Sequence, residues 1–196
     1  MTHRTRLAAT MLSLLWLTAC VGPLTQWGEE ISLVTRASSF DPSVLEEEQV
    51  AVLSAVVGFG LEGYSLQVSR SLSVVLAESE RPIQVIPVQE ALSQLNREGL
   101  ATEYAAMVSE YAQSGILDRK VLEKVGEALN VGYVFQPVMA AFSQFTSGRF
   151  SFFGLRLFQT RISMLRLSAQ LWDTRTGEIA WEASGEAALA DEHVRE

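Results

Sequence analysis

The stretch "RISMLRLSAQLWDTRTGEIAWEASGE", Arg161 to Glu186, alternates along two runs joined by a turn. In the first run Leu165, Leu167, Ala169 and Leu171 fall on one side, with Arg166, Ser168 and Gln170 on the other. Successive side chains of a strand point to opposite faces, so the pattern is a strand with one apolar face. The second run repeats it, with Ile179, Trp181 and Ala183 against Glu182, Ser184 and Glu186. Between them "DTRTG", Asp173 to Gly177, is a hairpin loop with glycine where a positive φ is wanted. Reflection about Arg175 sets Leu171 opposite Ile179 and Ala169 opposite Trp181, so the two apolar faces coincide.

Upstream, "VGYVFQPVMAAFSQF" (Val131 to Phe145) reads as a third strand, with Pro137 asking for a bulge or an edge. Before it the period changes to that of helices. Val121, Leu122, Val125 and Leu129 form one stripe, opened by Asp118 as an N-cap. Tyr104, Met107, Val108 and Tyr111 form another, closed by Gly115 as a C-cap. Val88, Ala91, Leu92 and Leu95 form a third, and Tyr64, Val68, Leu72, Val75 and Leu76 a fourth. Two apolar runs, "QVAVLSAVV" (Gln49 to Val57) and "IQVIP" (Ile83 to Pro87), suit strands buried on both faces. The expected fold is α/β: a mixed sheet of about five strands, in the order strand, helix, strand, helices, then a three-strand antiparallel meander.

Gly58, Gly60 and Gly63 of "GFGLEG" spell G-x-G-x-x-G between a strand and a helix, the setting of a dinucleotide fingerprint. The next strand ends in Pro87-Val88 and lacks the acidic residue that would hold a ribose. The glycines are therefore read as a tight turn, and no nucleotide is expected.

Composition fits a single globular body: 48% of 196 residues are hydrophobic and 19% charged. The formal net charge of −8 argues against a nucleic-acid partner.

The N-terminus reads as a targeting segment. His3, Arg4 and Arg6 precede an apolar run from Leu7 to Ala19, too short to cross a bilayer, which takes about 20 residues. Leu17-Thr18-Ala19-Cys20 then resembles the bacterial lipobox, in which the cysteine is acylated and becomes the new N-terminus. An ordinary signal peptide or an anchor helix, with Cys20 incidental, is the alternative. Cys20 is the one cysteine of the chain, so no internal disulfide can form. Several acyl chains on one residue would anchor firmly where a single chain binds marginally. Val21, not aspartate, follows the cysteine and points to the outer membrane. Loss of Arg4 and Arg6 with the signal leaves 13 basic against 23 acidic side chains, a charge of about −10.

The expected organisation is a signal peptide over 1–19, a lipidated cysteine and tether over 20–48, and one periplasmic domain over 49–196. Gly22, Pro23, Gly28 and Pro42 interrupt the tether, Glu46, Glu47 and Glu48 close it, and Ile31 to Val34 could add a short strand. A flexible chain of that length spans on the order of 30 Å.

Together, the lipobox, the strand-and-helix start, the "NVGYVFQPVMAAF" strand and "LWDTRTGEIAW" resemble periplasmic lipoproteins related to the curli secretion-channel subunit. The lipoprotein activators of penicillin-binding proteins and the N-terminal domain of the Tol-system propeller protein share that fold. The resemblance covers about residues 49–190. It implies no enzyme activity and no cofactor; such proteins bind partners or assemble into envelope machines. Lipidation at Cys20 is the one residue role carried over. The curli subunit builds its barrel from two amphipathic hairpins, whereas this chain offers one candidate, "SQFTSGRFSFFGLRLFQT" (Ser143 to Thr160). That segment is expected to be a hairpin extension or loop. Phe150, Phe152 and Phe153 then either cover the body's own core or contact an envelope protein or the membrane.

For catalysis the sequence offers little. His3 leaves with the signal and His193 stands near the end, so a nucleophile–histidine pair has poor material and zinc has no ligand cluster. No catalytic or metal-ligating residue is assigned. The expected role is a non-catalytic outer-membrane lipoprotein that binds or assembles an envelope complex in secretion or cell-wall work. An oligomeric export-channel subunit is the alternative, and a periplasmic hydrolase using two distant carboxylates stands behind both.

Overall fold

In a computed structural model, residues 30–37, 40–81, 83–152 and 155–194 are described. The strands are β1 (Glu30–Ala37), β2 (Val50–Val52), β3 (Val56–Val57), β4 (Val85–Ile86), β5 (Tyr133–Phe152), β6 (Leu155–Asp173) and β7 (Ile179–Val194). The helices are α1 (Val44–Glu47), α2 (Ser65–Ala77), α3 (Val88–Arg97), α4 (Ala101–Ser114) and α5 (Arg119–Leu129), with a 3₁₀ turn at Glu62–Tyr64. They form one α/β body around a mixed seven-stranded sheet, ordered β1-β7-β6-β5-β2-β4 with β3 also on β5. The β2, β3 and β4 pairings are parallel; β5, β6, β7 and β1 run antiparallel.

Each face of the sheet has its own core. On one face, α3, α4 and α5 pack Leu95, Met107 and Leu122 against Ala51, Val134 and Trp172. On the other, Leu45 of α1 and the half-buried Leu72 and Leu76 of α2 pack near Val50, Val52, Phe135 and Leu171. The helix boundaries follow the expected caps. The Asp118 carboxylate accepts the Val121 N–H at 3.0 Å, and Gly115 closes α4 with φ +71°.

The structure departs from the sequence reading in four places. There are seven strands where about five were expected, because the parallel part is divided and β1 joins the sheet. The stretch expected as tether contains β1, whose eight residues pair with β7 from Glu30↔Ala188 to Ala37↔Trp181, and Leu45, which is buried. The C-terminal hairpin is displaced by two residues from the expected register, with Leu171 opposite Trp181 and Ala169 opposite Ala183. Two causes combine. The Asp173 N–H donates to the Glu178 carbonyl at 3.0 Å, so the loop centres between Arg175 and Thr176, and a register shift follows at Leu171/Trp172. A displacement of two keeps the parity, so the apolar faces still coincide.

Pro137 is the fourth departure: it lies in the interior of β5, opposite Ala169. On its other side β2 has ended at Val52↔Phe135 and β3 has not begun until Val56↔Val138, so no partner strand asks for its missing N–H. The bulge in β5 comes three residues later, between Met139 and Ala141. There Gly58 lets the β3 end approach, since a Cβ would stand 2.7 Å from the Ala140 carbonyl oxygen.

Candidate functional site

The gap between β2 and β3 decides how α2 is seated. Leu53, Ser54 and Ala55 have left the ladder, and their backbone groups need partners. Serines spaced four apart on α2 supply them. The Ser69 hydroxyl donates to the Leu53 carbonyl at 2.9 Å and accepts the Ala55 N–H at 2.8 Å. The Ser65 hydroxyl donates to the Ala55 carbonyl at 2.6 Å. Ser69 and Ser73 are buried, while Tyr64 and Val75, expected in the apolar stripe, are exposed at 50% and 63%. From the other face the Tyr104 hydroxyl accepts the Ser54 N–H at 2.8 Å, and buried Gln136 donates to the Ser54 carbonyl at 3.0 Å. Burial raises the Tyr104 phenol above its ordinary range.

Rotated in this way, α2 turns Val68, Leu72 and Val75 sideways and stands as a wall over β5. Beyond it the same sheet face has no helix among the described residues. The result is an apolar trough of about 510 Å³. Leu165, Leu167 and Ala169 of β6 and Ala183, Gly185 and Ala187 of β7 make the floor, and Ile31 and Leu33 of β1 make the far rim. The floor is shallow on β7 because its residues are small. The rim is high: Ile31 and Leu33 are 62% and 67% exposed.

Across the sheet, the same level is polar. Arg166 pairs with Glu186 at 2.9 Å, and the Tyr111 hydroxyl donates to the Gln170 carbonyl oxygen at 2.8 Å. Burial, reinforced by the nearby Glu182 charge, pushes the Tyr111 phenol up to about 12. The amphipathic meander therefore does not use its apolar side to seal a complete core. A patch of this kind is the ordinary mark of an interaction site.

The glycine-rich turn is occupied by the chain itself. Gly60 has φ +79°, and its N–H donates to the Glu62 carboxylate at 3.1 Å. A backbone N–H from Glu62 itself, followed by that of Gly60, holds this carboxyl below the ordinary glutamate range. A carboxylate thus takes a loop amide where a phosphate would have to sit.

The hairpin extension is present. β5 and β6 remain paired out to Phe152↔Leu155, with Phe150 opposite Phe158. The side chains of Phe150 and Phe152 lie outside the described residues, as do Phe153, Cys20 and the whole of 1–29. Among the described residues no group of three or more His, Cys, Asp or Glu is placed to hold a metal ion, and no helix is long and apolar enough to cross a membrane.

No family model matches the chain, and no curated protein does. Solved structures do. The chain is similar to the PelC dodecamer from Paraburkholderia phytofirmans, at 13% identity and TM-score 0.46, covering 82% of each chain. It is similar to lipoprotein GNA1162 from Neisseria meningitidis, at 15% identity and TM-score 0.46, covering 74% of this chain and 83% of that one. It is also similar to the LpoB C-terminal domain from Escherichia coli, at 16% identity and TM-score 0.44, covering 74% and 83%. These neighbours match the relation that the sequence resemblance suggested. At such scores the likeness is one of element order, and no functional residue transfers through it.

Proposed function

We propose that the protein is a non-catalytic lipoprotein of the bacterial outer membrane, acylated at Cys20, whose periplasmic body binds a protein of an envelope complex through the α2 trough. The apolar floor and rim carry this reading. Leu167, Leu33 and Val75 are exposed at 36%, 67% and 63% on one concave surface, where a soluble monomer gains nothing from them. The lipobox supplies the anchor, and the ten residues between Cys20 and Glu30 reach at most about 33 Å from it.

Two measurements test the reading. Mass spectrometry of the product from its native envelope is expected to find an acylated Cys20 at the N-terminus; an unmodified thiol within an intact N-terminus overturns the anchor. Photo-crosslinkers at Leu167 and Val75 are expected to trap one defined envelope protein, and Leu167→Asp to abolish capture while leaving the melting temperature within a few degrees. Equal capture by the Asp variant removes the trough from the argument.

A second reading, an oligomeric channel subunit, is favoured by the reach of the hairpin. β5 from Ala141 and β6 to Arg166 each offer about a dozen paired residues, and a barrel strand needs about 9–11. Phe150, Phe152 and Phe153 would then meet lipid, and deleting 147–158 would abolish membrane retention of a Cys20→Ser chain.

A further inference from the structure

The two ends of the sheet are finished differently. At one end β4 has two residues and is followed at once by Pro87, which begins α3, so it offers no length for another strand. At the other end β1 runs eight residues in unbroken register with β7. It contains no proline, no lysine and no bulge, the usual devices against edge pairing, and among the described residues nothing lies along its outer side. Val34 is 58% exposed on the polar face of the sheet, so both faces of the strand are apolar and open.

The sequence of β1, "EISLVTRA", is self-complementary when read antiparallel about Leu33. Glu30 and Arg36 stand three positions to either side, Ile31 and Thr35 two, Ser32 and Val34 one. Two copies paired in that register place Arg36 of each opposite Glu30 of the other, Ile31 opposite Thr35, and Leu33 opposite its own image. Opposite charges directly across strands stabilise a pair, and like charges there destabilise it. Within its own chain Arg36 reaches Glu182 at 3.8 Å only as an exposed pair, which holds it weakly.

We propose that β1 pairs with β1 of a second copy, antiparallel about a two-fold axis through Leu33, joining two seven-stranded sheets into one. The contact is isologous and therefore closes at two copies. It sets the two β1 rims side by side, so the apolar floors of both copies flank the axis on one face. This contact is independent of the lipid anchor and of whatever protein fills the trough.

The test uses the full chain in its native envelope, with Cys20 as the one cysteine of the parent control. Leu33→Cys places two sulfurs on the axis, where antiparallel Cα atoms are about 4.5–5.5 Å apart and a disulfide forms without movement. Mild oxidation is expected to give a product of twice the chain mass, absent from the parent and from Val75→Cys, which is as exposed but lies on α2. In that background Glu30→Arg or Arg36→Glu alone is expected to cut the linked fraction about fivefold, and the two together to restore it. A Leu33→Cys chain that stays monomeric, or is linked to a product of another mass, overturns the proposal. So does a charge exchange that fails to restore linkage, or single variants that leave it unchanged. Leu33 and Arg36 are exposed strand positions, and an unchanged circular dichroism spectrum confirms folding in each variant.

Discussion

The two faces of the sheet are made from the same strands, yet they are finished by different means. On one, α3, α4 and α5 close over Val134 and Trp172 with aliphatic and aromatic stripes, leaving Leu122, Val125 and Val88 with no exposed surface. On the other, a single long helix is fastened by serine hydroxyls, and the apolar floor of β6 and β7 is left open beside it. The comparison separates two uses of apolar surface. Where it is buried within the chain it stabilises; where it is kept open it is available to a partner.

Three changes break or sharpen this contrast. Leu122→Ala on the sealed face removes a fully buried side chain and is expected to cost about 2–5 kcal/mol, read as a fall in urea midpoint at unchanged slope. A loss below about 1 kcal/mol would deny that this face carries the stability. Ser69→Ala on the open face leaves the buried Ala55 N–H without its acceptor, for an expected loss of about 1–3 kcal/mol. Near-neutral behaviour there would mean that α2 is not held by its hydroxyls.

The smallest effect belongs to the turn that joins the two faces' strands. Partial burial alone would raise the Asp173 carboxyl, but it is outweighed by the N–H groups of Arg175 and Thr176 at 2.8 and 3.1 Å and by the Arg175 guanidinium. The net shift is downward, so the stabilisation is complete above the ordinary aspartate range and is lost as pH falls through the depressed value. Unfolding measured across acidic pH is expected to show this loss in the parent and not in Asp173→Asn. A parent and variant with the same pH profile would remove the turn carboxylate from the account.

The elements with a pure period were legible in the sequence. Tyr104, Met107 and Tyr111, or Leu122, Val125 and Leu129, show a 3.6-residue spacing that packing has no reason to override, and their burial follows it. The hairpin faces were legible because two alternations had to agree, although a loop centre and one irregularity moved the register by two. The orientation of α2 was not legible. Its apolar spacing points to Tyr64 and Val75, but the orphaned backbone at 53–55 lies 10–16 residues away in sequence and draws Ser65 and Ser69 inward instead. The available signal was the four-residue spacing of Ser65, Ser69 and Ser73, which helical periodicity read only for apolar residues passes over. β1 was hidden for a related reason: it follows Gly22, Pro23 and Gly28 and looked like the end of a linker, while its partner lies some 150 residues further on.

Fastening a helix by hydroxyl groups also sets how it lets go. Water can replace each Ser65 and Ser69 bond as it breaks, and little aliphatic area is uncovered when α2 tilts away, in contrast to the cost of prising α4 from Trp172. Amide protons of α2 should therefore exchange with solvent well before those of α4, and a guest too wide for the resting trough gains room by levering this one helix, with the rest of the scaffold undisturbed.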